Sequence, residues 1–224
     1  MISEIHSTLL ALKDDKYRDF QLKLISSKYP IIGVRLPDIK AYAKKLLKEE
    51  KRPVFKDKYY EEVLLHGLYI ARYKCPFDEK IQMIEDYLPL IDNWGICDSF
   101  VCAIKDINKH KDEYYKYVKK YSKSDEEFIQ RYGLVVLLDY YIEDKYIEDL
   151  YKIIKNQKYQ GYYSKMAGAW LLSYLFMFYF EDTVDYVSNN RIDDFVYKKG
   201  IQEALDSYRL TDKQKELLRT LKSS

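Results

Sequence analysis

A chain of 224 residues, 47% of them hydrophobic and 33% charged, can bury a core, is too apolar to stay disordered, and fits one domain more easily than two. Its 38 basic and 36 acidic residues leave a net charge of +2, too balanced to demand a polyanionic partner, although local clustering sets the field at a surface. The three cysteines, Cys75, Cys97 and Cys102, show no ligand spacing, which argues against a disulfide framework or a zinc site and for a reducing cytoplasm.

The opening Met1-Ile-Ser-Glu-Ile-His6 lacks the basic-then-apolar order of a signal peptide. Apolar residues then recur at helical spacing almost throughout. Helices are expected near Ile5 to Leu12 and Tyr17 to Ser26, followed by an extended link over Tyr29 to Leu36, where Pro30 and Gly33 both interrupt a helix. Pro37-Asp38 opens the next helix, which is expected to run to about Glu50.

Further helices are expected near 58–73, 78–87, 93–107, 111–121, 125–141, 144–155, 162–178, 181–188, 193–206 and 212–221. Ser124 with Glu127 reads as a capping box ahead of Phe128, and Thr211 as a cap for the last helix. The longest apolar run, near Ala167 to Phe180, is interrupted by Ser173 and is short for a membrane span. No strand-like alternation and no Asn-Gly or Asp-Gly hairpin turn occurs. The expected fold is all-α: one domain over residues 1–224, built as a HEAT-like solenoid of antiparallel helix pairs with a concave binding face.

The 25 tyrosines suit half-buried helix interfaces and equally suit contact with a nucleotide. Phosphate-loop, dinucleotide, nucleophile-elbow and zinc-protease motifs are absent. His6, His66 and His110 are scattered, as expected of surface or capping residues. The segment Asp92-Asn-Trp-Gly-Ile-Cys-Asp-Ser-Phe100 stands out, because Trp94 and Asp98 share one face of a helix. Ile96, Phe100, Ala103 and Ile107 form its core stripe, with Cys97, Val101 and Ile104 as a second apolar line. An aspartate among these needs a partner. Either Asp98 pairs with a basic residue and ties two helices together, or it is a carboxylate held in a cleft beside an aromatic ring.

Several segments occur in a telling order: Gly33-Val-Arg-Leu-Pro-Asp-Ile-Lys40, Trp94 with Asp98, Arg131, Lys165-Met-Ala-Gly-Ala-Trp170 and Lys199-Gly-Ile-Gln-Glu-Ala-Leu-Asp-Ser-Tyr-Arg209. Together they resemble the DNA alkylation repair family, the HEAT-like alkylpurine DNA glycosylases, over nearly the whole chain. The resemblance implies a solenoid that holds duplex DNA on a basic concave face. It implies release of cationic alkylated purines, such as 3-methyladenine and 7-methylguanine, without extrusion of the base.

Residue by residue, it implies that Asp98 is the catalytic aspartate, that Trp94 lines the deoxyribose, and that Arg131 supports the cleft and the backbone. Arg35, Lys165, Lys198, Lys199 and Arg209 lie in or beside the matching segments and are candidates for phosphate contact, with Arg209 equally suited to capping helix carbonyls. No metal or organic cofactor is implied. The expected partner is duplex DNA carrying alkylated bases, bound by a monomer away from membranes.

In an ungapped match, Ala169 stands where active members carry a second tryptophan. One step along a helix turns a side chain by about 100°, so Trp170 is expected in the core with Leu171, Tyr174 and Leu175. Two other readings fit the same scaffold: a non-catalytic binder of damaged or structured nucleic acid, and a protein-interaction solenoid.

Overall fold

The computed structural model describes residues 3–49 and 52–223; Met1, Ile2 and Glu50, the last being the expected end of one helix, lie outside them. Among the described residues there are thirteen α-helices, two short 3-10 helices and no strand. The helices are α1 (Glu4–Ala11), α2 (Asp15–Leu24), α3 (Leu36–Leu46), α4 (Tyr60–Arg72), α5 (Phe77–Tyr87), α6 (Trp94–Ala103) and α7 (Lys111–Tyr121). They continue with α8 (Glu127–Tyr140), α9 (Ile147–Asn156), α10 (Tyr162–Phe178), α11 (Phe180–Asn189), α12 (Asp194–Asp206) and α13 (Asp212–Ser223). The chain is all-α, and this run of short helices is consistent with a HEAT-like helical solenoid. No described helix is long and apolar enough to cross a membrane.

Backbone contacts divide the chain into two compact units, residues 1–111 and 112–224. In the first, α4 is the central helix and packs with α1, α3, α5 and α6. It is buried on nearly every side, including Val63, Leu64, Leu65, Leu68 and Ile70, as an all-round apolar helix must be. Two buried polar residues tie its ends. Glu61, fully buried, accepts hydrogen bonds from three successive backbone N–H groups, those of Ile32 (2.9 Å), Gly33 (2.7 Å) and Val34 (3.2 Å). At the other end Lys80 donates to the carbonyls of Ile70 (2.6 Å) and Tyr73 (2.5 Å), satisfying groups that the last turn leaves open.

The link ahead of α3 is extended, as Pro30 and Gly33 require. Gly33 has a φ of +95°, and a Cβ there would lie 2.6 Å from both the Arg18 Cβ and the Asp14 carbonyl oxygen, so no other residue fits.

In the second unit α10 packs between α8 and α12. Its buried side is a run of small and aliphatic residues, Ala167, Gly168, Ala169, Leu171 and Leu172. α9 is strongly amphipathic: Ile147, Leu150, Tyr151, Ile153 and Ile154 are buried, while Lys152, Lys155 and Asn156 are exposed.

The expected helices are present, with local differences; the helix expected to run to about Glu50 ends at Leu46. The helix expected over 93–107 ends at Ala103, because Ile104 turns extended, and a 3-10 helix over Asp106–Lys109 follows. The capping box at Ser124 does not form. The Ser124 hydroxyl accepts instead from the Glu126 N–H at 3.1 Å, and Glu127 is drawn away to the Tyr163 N–H at 2.6 Å. The cap expected at Thr211 does form, with Gln214 completing a box: Gln214 N–H donates to the Thr211 hydroxyl at 3.3 Å and the Gln214 side chain accepts from the Thr211 N–H at 2.9 Å.

Candidate functional site

The segment that carries Trp94 and Asp98 is held from both sides. Asp92 accepts from the Ser27 hydroxyl (2.8 Å) and the Lys28 N–H (2.5 Å), which anchors the entry to α6. Asn93 then caps the helix, its side-chain oxygen accepting from the Ile96 N–H at 3.1 Å. Ile96, Cys97, Phe100, Val101 and Ala103 are buried, as the two apolar lines anticipate. That burial fixes the rotation of the helix, so Trp94, Asp98 and Cys102 share the opposite side at i, i+4, i+8 spacing. Trp94 is 37% exposed, Asp98 is half-buried and Cys102 is exposed.

Arg131 sits in the second unit, buried to 6% exposure, and donates from its guanidinium to the Tyr163 carbonyl at 2.8 Å. Because Glu127 accepts from the N–H of the same residue, the first two turns of α8 grip both backbone groups of Tyr163 and set where α10 begins. This is a structural duty that the sequence does not advertise.

The Trp170 expectation needs correction. Ala169, not Trp170, is the core residue: it is 0% exposed, and its carbonyl lies 3.1 Å from where a Cβ on Gly200 of α12 would sit. Trp170 is half-buried and meets Tyr174 edge-on at 6.2 Å between ring centres. Phe178 follows on the same line, 6.0 Å from Tyr174. The turn of about 100° between adjacent positions operates as expected, but in the opposite sense, because α12 packs on the 169 side.

Three of the five candidate phosphate ligands are occupied by carboxylates of their own unit. Arg35 pairs with Asp14 at 2.8 Å and lies over the Tyr17 ring at 4.7 Å. Lys165 pairs with Asp193 at 3.0 Å, and Lys199 with Glu203 one turn on at 2.8 Å. The Tyr17 N–H and the Arg35 guanidinium hold Asp14 below the usual carboxylate range. Burial raises Asp193, but the Lys165 pair and the N–H groups of Val196 and Phe195 outweigh it and bring the carboxyl below its usual value. Lys198 is exposed and forms no ion pair among the described residues. Among the described residues Arg209 caps no carbonyl; its guanidinium lies over the Phe178 ring at 5.3 Å.

The histidines are less peripheral than their scatter suggests. His6 meets Glu62 at 2.9 Å, and His66 meets Asp57 at 3.1 Å while stacking on Phe55 at 4.2 Å. Only His110 is exposed. Among the described residues no group of three His, Cys, Asp or Glu side chains is placed to hold a metal ion.

A model of the family described as DNA alkylation repair enzyme matches residues 5–173. The chain belongs to that family. No curated protein and no solved structure matches it. Trp94, Asp98, Arg131, Arg35, Lys165 and Ala169 of this DNA alkylation repair family member all fall inside the matched residues, whereas Lys198, Lys199 and Arg209 fall beyond them. Membership assigns the chain a role in DNA repair, with DNA as its partner.

Proposed function

We propose that this family member hydrolyses the N-glycosidic bond of cationic alkylated purines in duplex DNA, acting as a monomer. The reading is carried by the shared side of α6, where Asp98 is half-buried and Trp94 partly exposed while Ile96, Cys97, Phe100, Val101 and Ala103 on the other side are buried. A carboxylate and an indole one turn apart are the groups this chemistry needs. In an N-alkylated purine the ring already bears positive charge. The C1′–N bond breaks with its electron pair moving to the ring nitrogen, so the base leaves neutral and needs no general acid. Positive charge then develops on the sugar, as in other glycoside hydrolyses, and water adds at C1′ with loss of a proton.

The Asp98 carboxylate stabilises that sugar cation and orients the water. The Trp94 ring face attracts cationic character by about 0.5–2 kcal/mol. The resemblance gives Arg131 a supporting part. Its guanidinium, held at the Tyr163 carbonyl, supports the cleft and the backbone.

The test is release of methylated bases from dimethyl-sulfate-treated duplex DNA by wild type and Asp98→Asn. Release by wild type alone supports the reading, and equal release by both removes Asp98 from the chemistry. A second reading, a non-catalytic binder of damaged or structured nucleic acid, is favoured by Ala169, which is sealed beneath α12 where active members carry tryptophan. Binding to the same DNA without any base release would favour it.

A further inference from the structure

The second unit holds a cavity of about 460 Å³, a size suited to a small ligand. It lies between the end of α7, the outer side of α9, and the two linkers that follow them. Four lysines line it, Lys119, Lys123, Lys152 and Lys158, against two aspartates, Asp125 and Asp149. That local excess of two positive charges equals the net charge of the entire chain, +2, so the cavity concentrates what the composition spreads thin.

The internal pairing leaves the lysines unequal. Lys119 is 2.7 Å from Asp149; that contact holds the Asp149 carboxyl below its usual range and cancels both charges. Asp125 receives the Gln160 amide at 3.4 Å. Lys123, Lys152 and Lys158 are exposed and form no ion pair among the described residues.

The cavity is also held in shape. Gln157 donates to the Ser122 carbonyl at 2.7 Å, and Gln130 donates to the carbonyls of Ser124 at 3.1 Å and Lys158 at 2.9 Å. These bonds stitch the linker after α7 to the linker after α9, so the loops that carry Lys123 and Lys158 do not have to be ordered when a ligand arrives.

We propose that this cavity is a phosphate-binding site. Three ammonium groups with no ion pair among the described residues, Lys123, Lys152 and Lys158, match the oxygens of phosphate groups. Ile153 is its one apolar lining residue and no aromatic ring lines it, so it offers a nucleobase no stacking face. Its ligand is recognised through phosphates, carried either by a free oligophosphate or by a nucleic-acid backbone. The proposal does not depend on the base-release reading.

The test compares wild type with a Lys123→Gln/Lys158→Gln double variant, which removes two exposed charges and no packing. Tripolyphosphate binding is measured by titration calorimetry, and binding to an unmodified duplex across a salt series. Loss of tripolyphosphate affinity by tenfold or more in the variant, with an unchanged salt slope on the duplex, assigns the site to a free oligophosphate. A fall of about 1.8 in the slope of log K against log salt, two contacts' worth, assigns it to the nucleic-acid backbone, with or without tripolyphosphate binding. If the variant matches wild type in both measurements, the proposal is overturned. Neither arm reads base release, so its outcome is separate from that of the proposed reaction.

Discussion

Helices α6 and α10 both display aromatic side chains away from their packed sides, but they are rotated by different neighbours. On α6 two apolar lines against α4 leave Trp94 and Asp98 together on the open side. On α10 the packed side is made of Ala167, Gly168 and Ala169, small enough for α12 to approach closely. The open line of Trp170, Tyr174 and Phe178 then contains no carboxylate. The first helix carries a carboxylate beside its ring; the second carries only ring surface. A tryptophan one position out of register is therefore a different structural object, fixed by which neighbour needed the space at Ala169.

The largest effect expected from this contrast is at Asp98. Asp98→Asn keeps the shape and removes the charge, and base release should fall by about 10²–10³, the usual scale for one preorganised electrostatic group, while duplex affinity holds. Installing the second tryptophan at its register position should fail structurally. Ala169→Trp forces a large ring against α12 and should cost more than about 3 kcal/mol, read as a fall in the denaturant midpoint; a variant as stable as wild type would break the contrast. Trp170→Ala, on the half-buried line, should cost only about 1–2 kcal/mol in the same assay.

The clamp at Glu61 gives an intermediate case in the first unit. Glu61→Gln leaves one of three buried N–H groups facing an amide donor, at a cost of about 1–3 kcal/mol.

The smallest effect is on acid stability. Asp14, Asp149 and Asp193 all sit below the ordinary 3.8, so the native state binds protons there less tightly than the unfolded chain. Their contribution is whole above about pH 4 and is lost as pH falls through the lowered values. Stability followed by circular dichroism from pH 6 to 2 should decline below pH 4, and Asp193→Asn, which loses the Lys165 pair, should flatten that decline.

The helices were legible because apolar spacing is a local property of the chain. The Trp94–Asp98 pairing was legible for the same reason: both residues sit on one turn. The Lys199–Glu203 pair could also have been read, since i, i+4 charges meet on any helix. What escaped the sequence depends on partners far along the chain. Lys165 and Asp193 are 28 positions apart, Arg35 and Asp14 are 21 apart, and the sealing of Ala169 comes from Gly200. Glu61 escaped differently. An acid in the first turn of a helix is the ordinary expectation from the helix dipole, so nothing in the sequence marked it as a buried clamp. The cavity lysines carried no signal either, since lysines are common in this chain and only the folded linkers gather these.

The Glu61 clamp has a kinetic consequence. The amides of Ile32, Gly33 and Val34 belong to no helix, yet all three end on one carboxylate that is part of α4. They cannot be released one at a time without leaving that carboxylate underbonded in the interior. In hydrogen–deuterium exchange the three should therefore open as a single event, at a rate set by the central helix, so that this irregular stretch belongs to the same cooperative folding unit as the core it borders.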